Sequence, residues 1–125
     1  MKLTFYGGAK EVSGSNYLLE IGDKKILIDC GLIQGETFAE SKNFEPFPYD
    51  PKAIDAVLLT HAHIDHSGRL PFLYRDGFRG MIYCTPPTRD LAFLLLADSI
   101  GILAKERQIE VSDLLSAVKD EEKLP

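Results

Sequence analysis

Six residues, His61-Ala62-His63-Ile64-Asp65-His66, hold all three histidines of this 125-residue chain together with an aspartate. Imidazole nitrogens and carboxylate oxygens are good ligands for zinc and similar divalent ions, and a catalytic site of that kind keeps one position open for water. Such an ion lowers the pKa of a water bound to it from about 15.7 towards about 7, which makes hydroxide available at neutral pH. Residues 61, 63 and 65 alternate, so in an extended segment their side chains share a side, with His66 following from the next turn. Four ligand-type side chains this close can begin two adjacent metal sites. The alternatives are a solvated polar loop or histidines satisfied as core hydrogen-bond donors. Either would require the whole histidine content to gather, for no chemical reason, directly after an apolar strand.

That strand is the run Ala56 to Thr60, "AVLLT", apolar on both faces as in a central strand covered on two sides. It delivers the cluster at its C-terminal end, a usual place for active sites in layered α/β folds. Upstream, Lys2 to Tyr6 reads as a short strand. Asn16 to Ile21 and Lys24 to Cys30 read as a hairpin turned at Gly22-Asp23. Residues 31 to 52, with three prolines and two glycines, read as loop with a short helix over Glu36 to Lys42. Beyond the cluster, Gly68 to Asp76 has helical spacing with Gly77 as its stop, and Met81 to Cys84 is a further strand. Pro86-Pro87 opens a long helix to about Arg107, with Leu91, Leu94 and Leu95 on its apolar face, and Ser112 caps a last helix from Asp113 to about Lys123. Ser67 and Gly68 are expected to cap the helix after the cluster, a structural role rather than a nucleophilic one.

Composition sets the outer bounds. Apolar residues make up 45% and charged residues 26%, so the chain fits one globular domain. A net charge of -5 carries no large basic footprint of the kind that by itself announces a nucleic-acid binder. Cys30 and Cys84 read as buried free thiols rather than a disulfide. Neither a signal segment nor the roughly 18 apolar residues of a membrane span is visible, which points to a cytoplasmic protein.

His-x-His-x-Asp-His after an apolar strand resembles the signature of the metallo-β-lactamase superfamily. "GGAKEVSGSNYLLEIGDKKILIDCGLIQG" and "LLTHAHIDHSGRLPFL" resemble the N-terminal part of its β-CASP nucleases, over most of residues 3 to 105. The resemblance implies an αββα sandwich, of which this chain supplies the N-terminal half, and a hydrolase acting on RNA phosphodiesters. It implies that His61 and His63 serve a first metal and Asp65 and His66 a second, two zinc ions being expected, with manganese as another candidate. Asp65 would also orient the attacking hydroxide. Asp29, in "LIDCG", would support histidine orientation from behind the ligands. Gly7, Gly8 and Gly14 would let the first loop pass close to the metals.

In that family a further histidine, a bridging aspartate and the β-CASP domain follow, whereas here no histidine follows His66. The expectation is therefore a partial metallo-β-lactamase domain with little activity on its own, one uncovered apolar sheet face, and self-association or dependence on a missing C-terminal segment. Other hydrolases of the superfamily, acting on thioesters or lactams, and a non-catalytic metal-binding or assembly module are the competing readings.

Overall fold

The computed structural model describes residues 1–7, 14–33 and 42–107, with side chains as far as Gly101. Five strands, β1 (Lys2–Gly7), β2 (Asn16–Ile21), β3 (Lys24–Ile28), β4 (Ala56–Leu58) and β5 (Met81–Tyr83), form one sheet in that order. The first three make an antiparallel meander, while β3, β4 and β5 run parallel. Gly22 adopts φ +60° in the hairpin turn, a conformation that costs glycine nothing because it has no Cβ. The parallel half needs long crossovers, and the second of these carries two short helices, α1 (Ile64–Ser67) and α2 (Leu70–Arg75). A long helix, α3 (Pro86–Arg107), follows β5.

Register explains where the core lies. Thr4, Leu18, Leu27, Val57 and Ile82 stand opposite one another across all five strands, and since side chains alternate along a strand they share one face. From Leu18 to Ile82 that row is buried against Phe72 and Leu73 of α2, Phe78, and Ala92, Leu96 and Ile100 of α3. Burying a side chain of this size contributes about 1.5–3 kcal/mol. The neighbouring row, Phe5, Tyr17, Ile28, Leu58 and Tyr83, points the other way. Phe5, Leu58 and Tyr83 on it are 59%, 42% and 50% exposed. Among the described residues the central strand is therefore covered on one side only, where covering on both was expected from its composition.

Several boundaries differ from the sequence reading. β3 stops at Ile28 and β4 at Leu58, each two residues early, because Asp29 and Thr60 leave the ladder for each other: the Thr60 amide donates to Asp29 Oδ1 at 2.8 Å. The helix expected over Gly68 to Asp76 begins only at Leu70, after the separate turn of α1, and ends where Gly77 takes φ +119°. In α3, Leu91 and Leu94 are exposed, and the buried stripe is Thr88, Ala92, Leu96 and Ile100 at four-residue intervals. Cys30 is a buried free thiol but Cys84 is only half-buried. Gly8, the Glu36–Lys42 helix apart from its last residue, and the helix after Ser112 fall outside the described residues; Lys42 itself opens a 3-10 turn, Lys42–Phe44. Among the described residues no helix is long and apolar enough to cross a membrane.

Candidate metal centre

The cluster begins where β4 ends. Residues 59 to 63 leave the sheet as irregular chain, and His63 is the N-cap of α1, whose first turn carries Asp65 and His66. Asp65 thus comes from a helix and not from the extended run that alternation implied. It nonetheless meets the histidines: ligand atoms of His61, His63 and Asp65 lie within 4.8 Å of one another. The His61 and His63 rings meet edge to face with centroids 5.0 Å apart, and the His61 and His66 centroids are 3.7 Å apart. His66 stands outside the three-residue group, yet its Nε2 is 3.5 Å from Asp65 Oδ2, so the aspartate faces both sets. Two imidazoles and a carboxylate at this spacing suit a divalent metal ion.

A helix of four residues has no stability of its own, since nucleating a turn costs more than one turn returns. α1 exists because remote amides satisfy its outward carbonyls. Ser15 N donates to Asp65 O (2.9 Å), Cys30 N to His66 O (2.8 Å) and Leu32 N to Ile64 O (2.9 Å). The loop after β3 must pass very close for this, and a Cβ at Gly31 would collide with the Asp65 carbonyl. Ser67 is fully buried and its hydroxyl is shared between the Ala62 and His63 carbonyls; it ends α1, with Gly68 as the C-cap, and does not cap the following helix as expected, since Arg69 is the N-cap of α2.

Behind the cluster lies Asp29, 1% exposed and the one non-glycine residue with positive φ (+62°) among the described residues. Aspartate tolerates that left-handed backbone better than most residues. Its Oδ2 is 2.7 Å from His66 Nδ1 and accepts from Thr60 Oγ1 (2.8 Å) and Ser15 Oγ (3.4 Å). The bend is held from outside as well: Asn16 Nδ2 donates to the Asp29 carbonyl (2.9 Å), and Tyr49 Oη donates to Asn16 Oδ1 (2.9 Å). Sequence reading passed over Ser15, Asn16, Tyr49 and Thr60. For Asn16 and Thr60 a signal existed, a polar residue at the end of an apolar strand, but nothing local links them to Asp29.

Cys30 follows Asp29 into the core, where burial pushes its thiol up to about 12 despite the Arg69 charge and the Tyr49 hydroxyl nearby. Burial likewise raises the Tyr49 hydroxyl and lowers Arg69, whose guanidinium lies 4.1 Å over the Phe47 ring. Cys30 is thus an inert packing thiol rather than a nucleophile.

Comparison with known proteins agrees with this geometry. The chain is 48% identical over 103 residues to Ribonuclease TTHA0252 of Thermus thermophilus, covering 82% of this chain and 23% of that protein. It is 46% identical over 111 residues to Transcription termination factor FttA of Methanosarcina mazei, covering 85% and 17%. It therefore spans less than a quarter of the length of either relative. Among solved structures, the short form of human tRNase Z matches with a TM-score of 0.50 at 25% identity, over 79% of this chain and 40% of that one. The mixed five-stranded sheet with its flanking helices corresponds to the N-terminal region of that fold. The family model of the metallo-beta-lactamase superfamily matches residues 9–78, and this chain belongs to that superfamily.

Proposed function

We propose that these residues are the N-terminal part of a metal-dependent β-CASP ribonuclease that hydrolyses RNA phosphodiesters in the cytoplasm, the β-CASP domain and later ligands lying outside them. The observation that carries the reading is the convergence of His61, His63 and Asp65 ligand atoms within 4.8 Å, backed by a buried carboxylate on His66. The ribonuclease name of one relative and the tRNase name of a solved neighbour support RNA as the substrate.

His61 and His63 would hold one ion, and Asp65 and His66 a second, zinc first and manganese second in order of preference. When bound, the ions supply Lewis acidity and make water a nucleophile at neutral pH. The side chains do the positioning. Asp65, with a quarter of its side chain exposed, orients the attacking water by accepting its hydrogen bond. Asp29 holds His66 from behind so that Nε2 faces the site. With no histidine after His66, the 125 residues alone supply an incomplete ligand set.

Zinc titration by calorimetry, with His61→Ala and His63→Ala as controls, tests the metal reading. The expected result is binding that either substitution weakens at least tenfold. Cleavage of a single-stranded RNA with added zinc or manganese tests the rest. Near-background hydrolysis is expected, and robust turnover abolished by Asp65→Ala would show that the ligand set is sufficient as it stands.

A further inference from the structure

We propose that Thr60 is a positioning residue that transmits to His61 the orientation Asp29 imposes, so that one buried carboxylate fixes the ring nitrogens of two imidazoles. Asp29 grips Thr60 twice, taking its amide on Oδ1 and its hydroxyl on Oδ2, both at 2.8 Å. Although Thr60 borders solvent, its hydroxyl is thereby turned inward and its rotamer fixed. The same oxygen lies 3.0 Å from His61 Nδ1 and 3.4 Å from His66 Nδ1.

The direction of each hydrogen bond follows from what each group can give. An ionised carboxylate only accepts, so at 2.7 Å from Asp29 the Nδ1 of His66 carries the proton. The Thr60 hydroxyl has one hydrogen and two possible takers, a carboxylate at 2.8 Å and a neutral imidazole at 3.0 Å. The charge-assisted bond wins, being roughly twice as strong. The hydroxyl oxygen is then left with lone pairs towards His61, whose Nδ1 must be the donor. Both rings are so held as the Nδ1–H tautomer with Nε2 bare, His66 directly and His61 at one remove. For a metal-binding imidazole the partner of the second nitrogen sets the tautomer and ring orientation. The inference rests on the metal reading for its consequence, not for its geometry.

Long-range proton–nitrogen NMR on the metal-free, nitrogen-15-labelled 125-residue chain at about pH 8 reads the tautomers directly. Zinc competition against a chromophoric chelator reads the consequence. In the parent, His61 and His66 should both be protonated on Nδ1. In Thr60→Val, which keeps the shape and removes the hydroxyl, His61 should become a tautomer mixture while His66 stays as it was, and zinc affinity should fall 10- to 100-fold. Thr60→Ser should restore both. An unchanged His61 in Thr60→Val, or an equal disturbance of both histidines, overturns the relay. Should that variant lose its cooperative unfolding transition, Thr60→Ala takes its place with the same expectations. A parent chain that takes up no zinc would defeat the metal reading, and the tautomers alone would then decide the relay.

Discussion

Replacing Asp29 by asparagine changes no shape and tolerates the same left-handed backbone, so its whole effect falls on hydrogen bonding. The carboxylate takes four donors: the Thr60 amide on Oδ1, and on Oδ2 the Thr60 hydroxyl, the Ser15 hydroxyl and His66 Nδ1. Asparagine must turn its NH2 towards one set or the other. With NH2 at the Oδ1 position, two donors face each other at the Thr60 amide, which cannot rotate away. With NH2 at the Oδ2 position, His66 must give up its tautomer and both hydroxyls must reverse. One charge-assisted bond is lost in either case, about 1.5–3 kcal/mol, and one buried donor is left unmatched, about 1–3 kcal/mol. Taking about 3 kcal/mol in all, at roughly 4 °C per kcal/mol for a chain of this size, the midpoint of thermal unfolding should fall by about 12 °C. Zinc affinity should drop 10- to 100-fold. Circular dichroism melts and zinc competition measure the two effects. An Asp29→Asn chain that melts within about 2 °C of the parent and binds zinc equally would refute the role given to this carboxylate.

Gly31→Ala should destabilise by about 1–3 kcal/mol and weaken zinc binding, because the new Cβ displaces α1 through the Asp65 carbonyl; unaltered melting and zinc titration would contradict that contact. Cys30 titrates near 9.0 when unfolded and about 12 when folded, so its contribution to stability is complete below about pH 9 and is lost as pH rises towards 12. Denaturant titrations from pH 8 to 11 should therefore show Cys30→Ala losing less stability than the parent, and iodoacetamide should modify Cys84 before Cys30. The exposed row of Phe5, Leu58 and Tyr83 should drive association at micromolar concentration, detectable by light scattering and relieved by Phe5→Lys with Tyr83→Lys. A parent that is monomeric and binds no apolar dye would mean the face is covered.

The convergence of His61, His63 and Asp65 was legible because they lie within six residues, and the β2–β3 hairpin because turn and alternation are equally local. The Asp29–Thr60 lock was not, since 31 residues separate the partners and neither residue type implies the other. The turn of α1 was missed because Ile64 to Ser67 carries no helical spacing of its own, and the remote amides that satisfy its carbonyls lie far off in sequence. Helix α3 has leucines around much of its circumference, so spacing alone did not decide which stripe faces the sheet; Ala92 lies buried while Leu94 does not. One-sided cover of the sheet was anticipated from the family resemblance and missed in the strand itself, because "AVLLT" looks equally apolar on both faces.

The four-residue helix that bears Asp65 and His66 also has a kinetic consequence. Its carbonyls are satisfied by Ser15, Cys30 and Leu32, amides that arrive from segments more than 30 residues earlier in the chain. The local bonds of this turn are too few to hold it alone, so the segment is expected to become stable only once the meander that supplies those amides has formed. Once formed, it does not fray independently, because opening it breaks three long-range hydrogen bonds to two other segments together. Amide hydrogen exchange at Ser15, Cys30 and Leu32 should accordingly proceed only through near-global opening, and an ion bound by the closed turn should slow that exchange by a factor of one plus the ratio of free-ion concentration to Kd. A site built this way takes its shape only together with the meander, although its candidate ligands are neighbours in sequence.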